Sequence, residues 1–144
     1  MWKSQDVNAD IGGGRWNMAS EALARVGVLN LVYDPFNRPS DHNEVILPLL
    51  SRVTTATISN VLCVIAEPEA RLEVIKLAAL APVAYFTVYE GNRSGVAGPT
   101  RDGWQENRKL ASYLDEIRVV MGAELQTLGG LRMIVAKRVA TRPA

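Results

Sequence analysis

Asp10-Ile11-Gly12-Gly13-Gly14, closing a short strand-like run from Val7, is the first segment whose residue types could do chemistry. Glycines let a backbone turn sharply and approach a ligand with no Cβ in the way. A second group, Asp34, stands 22 residues after Gly12, at the end of the apolar run Val28 to Tyr33. A carboxylate at the end of a second strand can accept both hydroxyls of a ribose. In an open parallel sheet both would lie beyond the carboxyl ends of the strands, where strand order reverses and ligands bind. Together they describe a nucleoside site. The plain alternative is an ordinary strand-to-helix turn and an unrelated surface aspartate. A dinucleotide fingerprint does not fit, because the third glycine of G-x-G-x-x-G is replaced by Asn17, and no P-loop is present.

Other candidates lie further along. Glu90 ends a buried run, Arg93 follows in a glycine-rich loop, and Trp104, Asn107 and Arg108 come just after it. An arginine, an aromatic and an amide around a carboxylate suit a planar or anionic substrate. The equal alternative is a loop pinned by a Glu90–Arg93 pair with Trp104 packed beneath. Cys63 follows Leu62 in an apolar segment and reads as a small buried residue. His42 sits among helix-cap residues, where capping or solvation outweighs catalysis. One cysteine and one histidine exclude an intrachain disulfide, a cysteine-rich zinc site and a His-rich metal site, so no metal is expected.

The elements that must position these residues alternate. A helix is expected from Met18 to about Val26 with Asn17 as its cap, then the strand Val28 to Tyr33. Next come a helix from Ser40 or Asp41 to about Arg52, interrupted in its middle by Pro48, and a β-branched strand from Thr54 to Val61. Glu67-Pro68-Glu69 opens a helix to about Leu80, and Val83 to Tyr89 is another apolar strand. After a loop from Glu90 to Gly103, a helix is expected from Trp104 to about Met121. Ala123 to Leu128 and Leu131 to Val139 flank Gly129-Gly130 as a hairpin. The pattern predicts an α/β domain over residues 1–144, with a short arm at 1–6 and a frayed tail at 140–144. It is a doubly wound, mostly parallel, Rossmann-like sheet with helices on both faces and an antiparallel C-terminal hairpin.

Sixteen Lys and Arg against fifteen Asp and Glu leave a net charge of +1, which predicts no strong attraction to polyanions. Nucleic acid is thus a partner that charge does not support. No apolar run reaches the roughly 20 residues a bilayer needs, and no secretory signal opens the chain, so a soluble, cytoplasmic protein without a membrane partner is expected.

Asp10-Ile11-Gly12-Gly13-Gly14 resembles the first motif of class I S-adenosylmethionine-dependent methyltransferases, an acid, an apolar residue, then G-x-G, with Trp16 where a third glycine often stands. Ser59-Asn60-Val61-Leu62 looks like the loop after that family's fourth strand, and the C-terminal hairpin resembles its reversed seventh strand. The runs Asp34-Pro-Phe-Asn-Arg, Val-Tyr-Glu-Gly-Asn-Arg-Ser-Gly and Gly-Trp-Gln-Glu-Asn-Arg are similar to methyltransferase-like domains of bacterial and phage-related proteins. The resemblance covers about residues 7 to 139. It implies S-adenosylmethionine as cofactor, held by Asp10, Gly12, Gly13 and Gly14 at the methionine moiety, by Asp34 at the ribose and by Asn60 at the mouth. Asp10 would pair with the ligand's amino group or with amides of the glycine turn. Asn60, Glu90, Arg93, Trp104 and Asn107 become acceptor-side catalytic candidates.

Two departures are expected. One helix fits between Pro35 and Thr54, so the family's third strand is missing, leaving about six strands. The family's amino-terminal helices have no counterpart in the six residues before the first strand, which leaves the site open to water or covered by a second copy in a homo-oligomer. The implied activity is methyl transfer to an unidentified acceptor, a nucleic acid or a small molecule. The alternative is a non-catalytic binding or regulatory module of the same fold.

Overall fold

The computed structural model describes residues 2–122, 124–128 and 132–138. Strand β1 (Val7–Ile11) leads to α1 (Met18–Ala24), β2 (Leu29–Tyr33), α2 (Ser40–Ile46), β3 (Thr55–Ser59), α3 (Pro68–Ala78) and β4 (Val83–Thr87). A small hairpin of β5 (Gly98–Thr100) and β6 (Gly103–Gln105) follows, then α4 (Leu114–Met121), β7 (Glu124–Leu128) and β8 (Met133–Lys137). Six strands form one sheet in the order β2-β1-β3-β4-β8-β7. β1 pairs in parallel with β2 and β3, and β3 with β4, while β8 is antiparallel to both β4 and β7. The protein is therefore α/β with a mostly parallel sheet and an antiparallel C-terminal pair. The Gly129-Gly130 turn and the tail at 140–144 lie outside the described residues.

Side-chain alternation divides the sheet into two unlike faces. Ala9, Ile11, Ala56, Ile58, Ala84, Phe86, Ile134 and Ala136 point to one side and are buried with Ile46, Leu50, Ile75, Ile117 and Met121. α2, α3 and α4 cover this face, and the core lies here. The opposite face carries α1, and its strand positions are polar, with Asn8, Asp10, Asn30, Thr57 and Ser59 side by side. Helices thus occupy both faces, unequally.

Three local expectations are corrected. The helix expected to reach Arg52 stops at Ile46, and Leu47–Arg52 continues as a 3-10 turn with Pro48 in its first turn. Proline has no N–H to donate, and its ring crowds the carbonyl four residues back. The helix expected from Trp104 begins only at Leu114, after a 3-10 turn at Leu110–Tyr113. Trp104 of β6 pairs with Pro99 of β5, the Glu106 amide donates to the Cys63 carbonyl at 2.9 Å, and Asn107 has φ +55, so tertiary bonds take the residues ahead of the apolar stripe. Asn17 makes no capping bond; its side-chain oxygen accepts from Arg38 instead.

Candidate functional site

Strand order reverses between β1 and β3, because the chain runs outward to β2 and returns past β1. The loops after β1 and β3 therefore meet. Gly12 has φ +74, and a Cβ there would lie 2.6 Å from Cγ2 of Val61; one on Gly13 would lie 2.6 Å from Cγ of Asp10. Glycine is required at both positions, by backbone shape and close approach in the first case and by the carboxylate beneath it in the second. Asn60 also turns through positive φ (+58), and its amide donates to the Thr87 carbonyl at 2.9 Å. Of the expected site residues, Asp10, Gly12, Gly13, Gly14, Asp34 and Asn60 gather at this edge.

Asp34 is 2% exposed and its carboxylate is fully engaged. One oxygen accepts the amides of Phe36 and Asn37 at 3.0 Å each; the other accepts the Gly14 amide and the Asn37 side chain at 2.9 Å each. Four donors fill a carboxylate's acceptor positions, so the ribose contact expected of Asp34 finds no open lone pair in this geometry. Its place here is to fasten the glycine loop to the end of β2. Arg38 completes the clamp, donating to the Gly14 carbonyl at 2.7 Å, to Oδ1 of Asn17 at 2.9 Å and to the Trp16 carbonyl at 3.1 Å. Sequence reading passed over Arg38. Its signal was the run Asp34-Pro35-Phe36-Asn37-Arg38, a turn whose polar ends point back at one target.

Asp10 projects onto the α1 face. It accepts from Asn30 at 3.3 Å and from Thr57 at 3.4 Å, and makes no bond to the glycine-turn amides. Both bonds are long for a carboxylate. Burial pushes the Asp10 carboxyl above its usual range, and the Asn30 and Thr57 bonds only partly oppose this. Folding then favours the protonated form, so Asp10's contribution to stability falls as pH rises from about 3.8 through the raised value. Asp10→Asn is accordingly expected to hold or raise the thermal midpoint at pH 7, an advantage that disappears below pH 4. A lower midpoint for the variant at pH 7 would contradict this. Above Asp10 opens a cleft of about 240 Å³ between the polar sheet face, α1 and Trp2.

The loop after β4 is spent on itself. Glu90 accepts the Leu110 amide at 2.8 Å and pairs with Arg93 at 3.1 Å. The amide bond, with Arg93 beside it, holds the carboxyl below its usual range. Asn107 accepts from the Asn92 amide and donates to the Val96 carbonyl, and the Trp104 indole donates to Glu106 at 2.8 Å. The Glu90–Arg93 pair weighed from the sequence is present. Beneath it lies a network that sequence reading missed. Arg71 binds Glu106 at 3.1 Å and Glu116 at 3.0 Å, and Arg108 binds Glu116 at 2.9 Å while its guanidinium lies 3.9 Å from the centre of the Tyr113 ring. Glu90, Arg93, Trp104 and Asn107 therefore hold the loop's shape.

Cys63 is fully buried, and burial pushes its thiol up, away from nucleophilic character. His42 Nε2 lies 2.8 Å from the Val32 carbonyl, where it covers part of the free edge of β2. Among the described residues no group of three His, Cys, Asp or Glu side chains could hold a metal, and no helix is long and apolar enough to cross a membrane. No protein-family model matches the chain, and no curated protein matches it either.

Proposed function

We propose that the protein binds S-adenosylmethionine at the carboxyl edge over β1 and β3 and transfers its methyl group to an acceptor. The observation that carries this reading is the strand order β2-β1-β3-β4-β8-β7 with β8 reversed. A mostly parallel sheet with a reversed strand next to β4, and with no strand between β2 and β3 in the chain, supports a class I methyltransferase-like sheet lacking its third strand, and the glycine turn stands where the strand order reverses. Residues 34–54, between β2 and β3, hold α2 and a 3-10 turn and no strand. The loop also fits a ligand physically. A Cβ on Gly14 would meet nothing within 4 Å, so that side of the turn is open. When bound, the cofactor supplies an electrophilic methyl on a cationic sulfonium. The chain's part is alignment and exclusion of water. Gly12, Gly13 and Gly14 would hold the methionine end beside Asp10, Asn60 would border the mouth, and Asp34 with Arg38 would keep the loop in register.

A second reading is a binding or regulatory module without catalysis. What favours it is the loop from Glu90 to Asn107, where Glu90, Arg93 and Asn107 are already paired within the loop and its flanks. Radiolabelled S-adenosylmethionine incubated with the protein and fractionated acceptors separates the two. Label transferred to an acceptor supports the enzyme; tight binding without transfer to any fraction supports the module.

A further inference from the structure

The cleft on the α1 face adjoins the glycine loop and contains two polar groups short of partners. Asp10 has only its two long bonds, and none of the ion pairs among the described residues includes it. Trp2 lines the same cleft, and its indole N–H is buried with no acceptor among the described residues. Buried donors are nearly always paired, so the orphaned indole N–H, with a carboxylate held only by two long bonds in the same cleft, points to a missing partner. One side of the cleft is apolar or aromatic, from Leu23 and Ala19 of α1, Tyr85 and Met133. The sheet side is polar, with Asn8, Asn30, Thr57, Ser59 and Thr87. At about 240 Å³ the space is below the roughly 300–1,000 Å³ usual for drug-sized ligands, so it suits one small ring system. One apolar and aromatic side, a carboxylate acceptor and an indole donor together match a ring that carries an N–H donor next to a lone pair.

We infer that this cleft takes a small planar amine, an aminated heterocycle of the nucleobase kind, with its exocyclic N–H on the Asp10 carboxylate and a ring acceptor toward Trp2. That the amine is the methyl acceptor rests on the methyl-transfer reading; that it binds does not. Asp10 stands between the two sites, with Gly13 directly over it. In the transfer, the amine nitrogen's lone pair forms the new N–C bond as the methyl C–S bond breaks. The C–S pair stays on sulfur, which becomes a neutral thioether, and the amine proton passes to the Asp10 carboxylate. The upward displacement of the Asp10 pKa by burial suits it to receive that proton.

The test uses the ligand-free full chain and ligand-observed NMR. Cytosine is the probe, and its desamino analogue pyrimidin-2-one and N4,N4-dimethylcytosine are the controls. Cytosine is expected to bind at least tenfold more tightly than either control. Asp10→Asn should erase that preference while the midpoint holds, and Leu23→Trp, which fills the cleft, should abolish binding. Equal binding of cytosine and pyrimidin-2-one, no binding of cytosine, or a preference that survives Asp10→Asn would overturn the assignment, whether or not Leu23→Trp folds. A parallel titration with S-adenosylhomocysteine keeps the readings apart. Cytosine preference without adenosyl binding removes the methyl-transfer reading and leaves the cleft; adenosyl binding without cytosine preference removes the cleft alone.

Discussion

Replacing Arg71 with Met is expected to cost about 3 kcal/mol at pH 7, the lower end of the penalty for removing one partner of a buried ion pair, because Arg108 still faces Glu106 and Glu116. The side chain is 6% exposed, and it also donates to the Ile65 carbonyl at 2.7 Å and the Ala66 carbonyl at 3.1 Å. Methionine keeps much of the volume, so the loss reports charge and hydrogen bonding more than a cavity. At about 2–4 °C per kcal/mol for a domain of this size, the midpoint should fall by about 10 °C. The penalty should also shrink in acid. Burial opposes ionisation of Glu116, but bonds from Arg71 and Arg108 outweigh it and hold the carboxyl below its usual range. Its stabilisation is thus present above about pH 4.5 and lost as pH falls through the lowered value. Thermal melts at pH 7 and pH 3.5 check this; a loss near 1 kcal/mol, equal at both, would mean that the network contributes packing only.

The second large effect is expected from Asp34→Ala. It removes the acceptor of four hydrogen bonds and leaves the Gly14, Phe36 and Asn37 amides to find new partners. Bonds to a charged group contribute about 1.5–3 kcal/mol each and are not additive, so a total near 3 kcal/mol is expected. Adenosyl-ligand binding should be lost with the loop. Calorimetric melting and titration measure both. An unchanged midpoint with weakened binding would restore Asp34 to the ribose and remove it as a clamp.

The alternation of Val28–Tyr33, Thr54–Val61 and Val83–Tyr89 with helical segments made the parallel sheet legible, because two of these runs are apolar and one is β-branched, although β2 lies at the sheet edge and is only partly buried. Gly12 to Gly14 were legible for the same local reason. The role of Asp34 was not: three of its four donors come from the turn at Phe36 and Asn37, but the fourth, the Gly14 amide that makes it a clamp on the glycine loop, lies 20 positions away. The short strand at Trp104 was hidden because the stripe Leu110, Leu114, Ile117 and Met121 invites a helix carried back across the polar run 105–109, whereas the bond from Glu106 to Cys63 that overrides it is long-range. The pairing of Arg71 with Glu116 likewise joins residues 45 apart. Asp10 was found by its place before the glycines. Its outlook onto a polar cleft follows from registers with Asn30 and Thr57 that no linear pattern states.

The central claim is an adenosyl ligand over the switch point of β1 and β3. Amide-resolved NMR titration with S-adenosylhomocysteine, and with NAD as control, tests it most directly. The account predicts one-to-one binding of S-adenosylhomocysteine, shifts concentrated at Gly12–Asn17 and Asn60–Val61, and no response to NAD. Binding of NAD alone, or adenosyl-induced shifts that spare the glycine loop, would contradict it.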